Sequence, residues 1–97
     1  MKLNYIEQGS GPAVILIHGM FGSLSNLGML ARELVADYRV ISLDLRNHGD
    51  SPHESLMDLA SMAADIVALL DDLNLANAIL IGHSLGGKVA MQVALNH

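Results

Sequence analysis

The sequence predicts an α/β domain, on three observations. Short apolar runs of strand length, Ala13–Ile17, Arg39–Leu43 and residues 78–81, alternate with longer stretches whose apolar residues recur at helical spacing. The run at 13–17 is apolar at every position, so both of its faces need cover, as in a central strand between helical layers. A polar or glycine-bearing loop follows each of the three runs, the usual way such strands hand over to helices.

Taken in order, residues 2–7 alternate enough for a first strand. Gln8-Gly9-Ser10-Gly11-Pro12 is a turn signal, and with the strand at 13–17 it suggests a hairpin-like pair. Ser23, Ser25 and Asn26 offer N-caps for a helix running to about residue 36, with Leu27, Leu30, Ala31 and Leu34 toward the sheet. After the strand at 39–43 comes a long polar loop, residues 44–52. Asp58 is a candidate N-cap for a second helix, whose Leu59, Met62, Ala63, Ile66, Leu69, Leu70 and Leu73 form one apolar stripe. Asp65, Asp71 and Asp72 then read as its solvated face. Residues 74–77 connect to the strand at 78–81, and a last helix, from residue 85 to about 95, is apolar nearly all round and expected to be buried.

Composition narrows the function classes. With 97 residues the chain is one small domain, and 52% hydrophobic against 15% charged residues argues for a packed core. A net charge of −5 with five scattered Lys and Arg disfavours a nucleic-acid partner. The absence of cysteine removes disulfides and thiolate metal sites, and no metal or other cofactor is expected. The first residues lack the apolar core of a signal peptide, and no apolar run approaches a membrane span. The expectation is a cytoplasmic protein without a membrane partner.

The most informative stretch is Gly82-His83-Ser84-Leu85-Gly86, set between an apolar strand and a helical pattern. A serine between such glycines sits on a sharp strand-to-helix turn that lifts its Oγ into a cleft, and the Leu85 N–H opens the following helix beside it. Ser84 is therefore a candidate nucleophile and Leu85 a candidate oxyanion donor. The motif together with His18-Gly19-Met20-Phe21-Gly22-Ser23 and Asp44-Leu45-Arg46-Asn47-His48-Gly49 resembles, in this order along the chain, the α/β-hydrolase superfamily, and most closely its small bacterial carboxylesterases with thioesterase side activity.

The resemblance implies a mostly parallel sheet of about four strands in the order 1-3-2-4, the first antiparallel, with helices on both faces. It implies the Met20 N–H as second oxyanion donor, Phe21 lining the acyl pocket and His83 as a substrate contact. His18, Asp44 and Arg46 are expected to brace loops rather than react, since Arg46 cannot give up its proton to serve as a base. In the family the acid and the histidine follow the serine along the chain, and residues 1–97 then correspond to an incomplete domain, the nucleophile half. The function so implied is hydrolysis of a small-molecule carboxylic ester or thioester by a serine nucleophile, with this portion alone inactive. A non-catalytic binding module for a small acyl or hydrophobic ligand is the alternative. The strand at 78–81 would be left as an open edge, through which the chain is expected to self-associate.

Overall fold

The structure is a computed structural model that describes residues 2–19, 22–23, 27–53, 58–75 and 77–96. Its elements are β1 (Tyr5–Gln8), β2 (Ala13–Ile17), α1 (Gly28–Leu34), β3 (Arg39–Leu43), α2 (Leu59–Asp72), β4 (Ala78–Gly82) and α3 (Leu85–Asn96). The strands form one sheet in the order β1-β3-β2-β4. β2 runs parallel to both β3 and β4, and β1 is antiparallel to β3. Order and directions are those the family resemblance implies.

β2 is the axis of this sheet. Ile15 stands opposite Ile41 on one side and Leu80 on the other. Alternation along the strand splits its side chains between two cores. Val14 and Leu16 join Val40 and Ala31 beneath α1, whereas Ile15 and Ile17 join Ile41, Leu43, Ile66 and Val89 beneath α2 and α3. Every residue of β2 is buried, because helices cover both faces and neighbouring strands occupy both edges.

The hairpin expected between the first two strands does not form: β1 pairs with β3. The connecting turn explains why. Gly9 and Gly11 adopt left-handed φ of +81° and +117°, and the turn lies against the α1–β3 connection. A Cβ on Gly9 would come within 2.4 Å of the Tyr38 carbonyl oxygen, and one on Gly11 within 2.8 Å of that of Asp37. Arg39 N–H also donates to the Pro12 carbonyl at 2.9 Å. The turn thus passes the foot of β3 and delivers β2 to its far side. The first strand is also later than expected, at Tyr5–Gln8, and residues 2–4 run on toward the loop after β3, with Leu3 buried in the α2 core.

The helices correct three further expectations. Asp58 does cap α2, its Oδ1 accepting from Ser61 N–H at 2.7 Å. That bond to Ser61 holds the Asp58 carboxyl below its ordinary pKa. α1, by contrast, opens at Leu27 with no side-chain cap, and ends at Leu34. Ser23 does not fill that position, while Ser25 and Asn26 lie outside the described residues. α1 is held instead by Leu27, Leu30, Ala31 and Leu34 on the sheet, since packing outweighs local signals in so short a helix. α3 buries Val89 and Val93 but leaves Met91 64% and Leu95 78% exposed, so it is not enclosed. It packs on α2, β4 and β2 along one face, and β4 is the last strand on that side of the sheet.

Asp65, expected in solvent, is buried. Its two oxygens accept from Arg46 Nε at 2.7 Å and from Arg46 Nη2 at 2.8 Å, so α2 is tied to the loop after β3 by a fork. At the exposed edge the Arg39 guanidinium pairs with Glu7 across β3 and β1. Removing one partner of the buried pair strands the other charge. Asp65→Ala should therefore cost about 3–5 kcal/mol in urea denaturation, and Arg46→Met combined with Asp65→Leu should recover most of the loss.

Candidate active site

β2, β3 and β4 all end at the same edge of the sheet, and the loops that leave them meet there, the usual position for a site in a parallel sheet. β4 stops at Gly82. The His83 N–H adds a last rung to the Ile17 carbonyl at 3.0 Å, and α3 begins two residues later. Between them Ser84 carries the whole reversal with a left-handed φ of +56°. That conformation is rare outside glycine and is sustained only by surrounding structure.

The supporting structure is backbone against backbone. A Cβ on Gly82 would sit 2.2 Å from the Gly86 carbonyl oxygen, and a Cβ on Gly86 would sit 2.2 Å from the Ile17 carbonyl oxygen and 2.5 Å from that of His18. Neither position admits any other residue. The turn is then closed by Gly86 N–H to the His83 carbonyl at 2.9 Å, and by Gly87 and Lys88 N–H groups to the Ser84 carbonyl at 3.0 and 3.2 Å. Ser84 is left exposed at the rim. Leu85 is the first residue of α3, where N–H groups have no partner within the helix and point past its end.

The loop after β2 comes up against this turn. A Cβ on Gly19 would stand 3.4 Å from Ser84 Cβ, 3.1 Å from the His83 carbonyl oxygen and 3.2 Å from His83 Nδ1. Gly19 is therefore in near contact with the serine, and the exposed His83 ring flanks the same spot. Met20 and Phe21, the expected second oxyanion donor and acyl-pocket residue, lie outside the described residues. Of the five site residues read from the sequence, Ser84, Leu85 and His83 are thus in one place, with Gly19 beside them.

Beneath the rim lies a buried polar layer. His18, only 1% exposed, places Nδ1 2.7 Å from the Gly19 carbonyl oxygen, and its Nε2 accepts from Leu45 N–H at 2.9 Å. Both ring nitrogens are committed, so His18 cannot take a proton from Ser84. The His48 ring lies 5.0 Å from that of His18 and directs Nδ1 to the Arg46 carbonyl at 2.8 Å. Asp44 is wrapped by its own loop: Oδ2 accepts from Asn4 Nδ2 at 2.9 Å and from Asp50 N–H at 3.0 Å. Gly49, with φ +50°, passes so close that a Cβ there would meet the carboxylate at 2.4 Å. Ser51 Oγ donates to the Asp44 carbonyl at 2.6 Å and accepts from Asn4 N–H at 2.8 Å. Asn47 has φ +63°, which asparagine tolerates better than other side chains.

The parts played by Asn4 and Ser51 escaped the sequence reading, because neither belongs to a motif and their partners are distant in the chain. Among the described residues no group of three His, Asp or Glu is placed to hold a metal ion, and no helix is long and apolar enough to cross a membrane.

A family model described as alpha/beta hydrolase fold matches residues 12–97. The chain belongs to this family. It is 49% identical over 96 residues to Esterase YbfF of Escherichia coli strain K12, covering 94% of this chain and 38% of that protein. It is 51% identical over 87 residues to the sn-1-specific diacylglycerol lipase ABHD11 of Xenopus laevis, covering 88% of this chain and 28% of the lipase. Among solved structures, a marine microorganism esterase superposes with a TM-score of 0.98 at 40% identity, over 100% of this chain and 38% of the esterase. The α/β-hydrolase chain described here therefore spans roughly a third of the length of these relatives.

Two outcomes follow from this geometry. Ser84→Gly relieves the left-handed strain and should equal or exceed the unaltered chain in denaturant midpoint, while Ser84→Ala retains the strain and Gly86→Ala, with no space for its methyl, should lose more than about 4 kcal/mol. Burial holds the His18 pKa below the ordinary imidazole value; the bond to the Gly19 carbonyl opposes this, the neighbouring His48 adds to it and Asp44 opposes it. Below about pH 6.5 the unfolded chain then binds a proton that the folded chain refuses, so this contribution is complete above that pH and is lost as the pH falls. Urea midpoints measured from neutral to mildly acid pH should fall less steeply in His18→Asn than in the unaltered chain.

Proposed function

We propose that this chain is the nucleophile-bearing portion of a serine hydrolase acting on carboxylic esters or thioesters. The observation that carries the reading is Ser84: a non-glycine residue held at φ +56° between β4 and α3, exposed, with Gly19 packed against it. A serine Oγ so placed attacks an acyl carbonyl, and the developing oxyanion is met by the Leu85 N–H and by the Met20 N–H that the resemblance assigns. Phe21 and His83 contact the substrate. The alcohol or thiol departs with a proton, leaving an acyl-serine that water then cleaves.

That sequence needs a base for the Ser84 proton, and His18 is committed elsewhere. The resemblance assigns the base and its acid partner to polypeptide that follows the serine beyond these residues, in keeping with relatives about three times as long. The esterases and the lipase among those relatives support the ester class. In the isolated 97-residue chain, β4 presents an edge of Ala, Ile, Leu and Gly without a charge, and Ile79 is 49% exposed, so self-association through that edge belongs to the same proposal.

The test is turnover of a short-chain p-nitrophenyl ester together with labelling by a fluorophosphonate. A protein extended through the sequence that follows residue 97 should do both, and Ser84→Ala should abolish both. The 97-residue chain should fall short of the extended protein by at least about 10³-fold, because the oxyanion site alone supplies little. An inactive extended protein would instead favour a binding module.

A further inference from the structure

The acidic residues of this chain are unevenly placed. All ten Asp and Glu fall at residue 7 or between residues 33 and 72, although the chain as a whole carries a net charge of −5. β2, the loop that leaves it, β4, the elbow and α3 come from the two stretches without a carboxylate, residues 8–32 and 73–97. The rim around Ser84 therefore has no negative side chain of its own. From the loop after β3, Asp44 is buried and held by Asn4 Nδ2 and the Asp50 N–H, and Asp50 belongs to a loop whose strand is separated from β4 by β2. Of the five Lys and Arg, Arg39 and Arg46 are held in ion pairs, Lys2 precedes β1 at the opposite edge of the sheet, and Arg32 sits in α1. The fifth is Lys88, on the helix that the serine opens.

We propose that Lys88 is a specificity-determining residue: it favours esters and thioesters whose departing alcohol or thiol carries an anion, a carboxylate or a phosphate. The Lys88 N–H donates to the Ser84 carbonyl at 3.2 Å, so the two residues stand one helical turn apart, about 6 Å along the axis at about 1.5 Å per residue. Side chains on a helix lean toward its N-terminus, which carries the Lys88 stem back toward the serine. The Lys88 side chain is exposed and belongs to neither of the ion pairs described, Arg39 with Glu7 and Arg46 with Asp65. With no carboxylate on the surrounding segments to neutralise it, its charge reaches an approaching substrate over about 8 Å at physiological salt. The acyl group is assigned to the side of Phe21, on the loop after β2. The group that departs is then the one that passes α3 and meets the ammonium.

This inference rests on the hydrolase reading, and its test compares substrates within one preparation, so that any loss of folded protein cancels. In the extended protein, kcat/KM is measured for p-acetoxybenzoate and p-acetoxyphenyl phosphate against the neutral p-acetoxybenzamide. The unaltered protein should favour the anionic esters. Lys88→Met should lower the anionic-to-neutral ratio by about fivefold, and Lys88→Glu should lower it further. Lys2→Met removes the same charge from the far edge of the sheet and should leave the ratio unchanged, while salt at about 1 M should bring the unaltered protein close to Lys88→Met. A fall confined to one anionic ester supports the role of Lys88 and tells carboxylate from phosphate. Ratios that Lys88→Met does not alter, or that Lys2→Met alters equally, would overturn that role and leave the hydrolase reading standing. Turnover of a p-nitrophenyl ester but of neither anionic ester would do the same. Absence of turnover with every ester would overturn both.

Discussion

The site depends on a contact between two backbones. Gly82 and Gly86 face each other across the turn, and Gly86 in turn rests on the carbonyls of Ile17 and His18 at the end of β2. That close approach brings the start of α3 over the end of the sheet, and only then can one residue bridge β4 and α3. Ser84 is that residue, and its left-handed backbone is the cost of the geometry rather than a local preference. The cost is met because β2 is firmly held: all five of its residues are buried, and it carries a parallel neighbour on each edge.

A second support works from below. The loops after β2 and β3 carry His18, Asp44, Arg46, His48 and Ser51 into the interior, where each finds a hydrogen-bond partner. Burying so many polar groups is unfavourable unless all are satisfied, and among the described residues no buried side-chain nitrogen or oxygen lacks a partner. A fully satisfied network of this kind has few alternative arrangements. It therefore fixes the shape of the loops that reach the rim, and the rim holds Gly19 against Ser84. Residues rich in chemistry, two histidines and a carboxylate among them, are used here as scaffolding.

The opposite flank is less complete. β4 has β2 on one edge, and α3 leaves Met91 and Leu95 largely exposed. Apolar surface of this kind is costly in water, at about 25 cal/mol per Å². The elbow therefore lies where the well-supported half of the sheet meets its uncovered side.

How much of this was legible in the sequence divides by range. The strands at 13–17, 39–43 and 78–81, the α2 stripe with its Asp58 cap, and the elbow around Ser84 are all written in neighbouring residues, through periodicity, a capping side chain and glycine spacing. The order of the strands was available only through family resemblance, since spacing along the chain suggested a hairpin that does not form. What tertiary structure alone decided are the pairings between distant residues. Asn4 meets Ser51 across 47 positions and Arg46 meets Asp65 across 19, and neither distance leaves a periodic trace. Asp65, Asp71 and Asp72 read together as the polar face of α2, which places Asp65 in solvent; a guanidinium from another loop brings it inside. The bond from Leu45 N–H to His18 Nε2 is of the same kind, because its donor comes 27 residues later in the loop after β3, and a buried polar group is satisfied by its spatial neighbours rather than by its place in the chain.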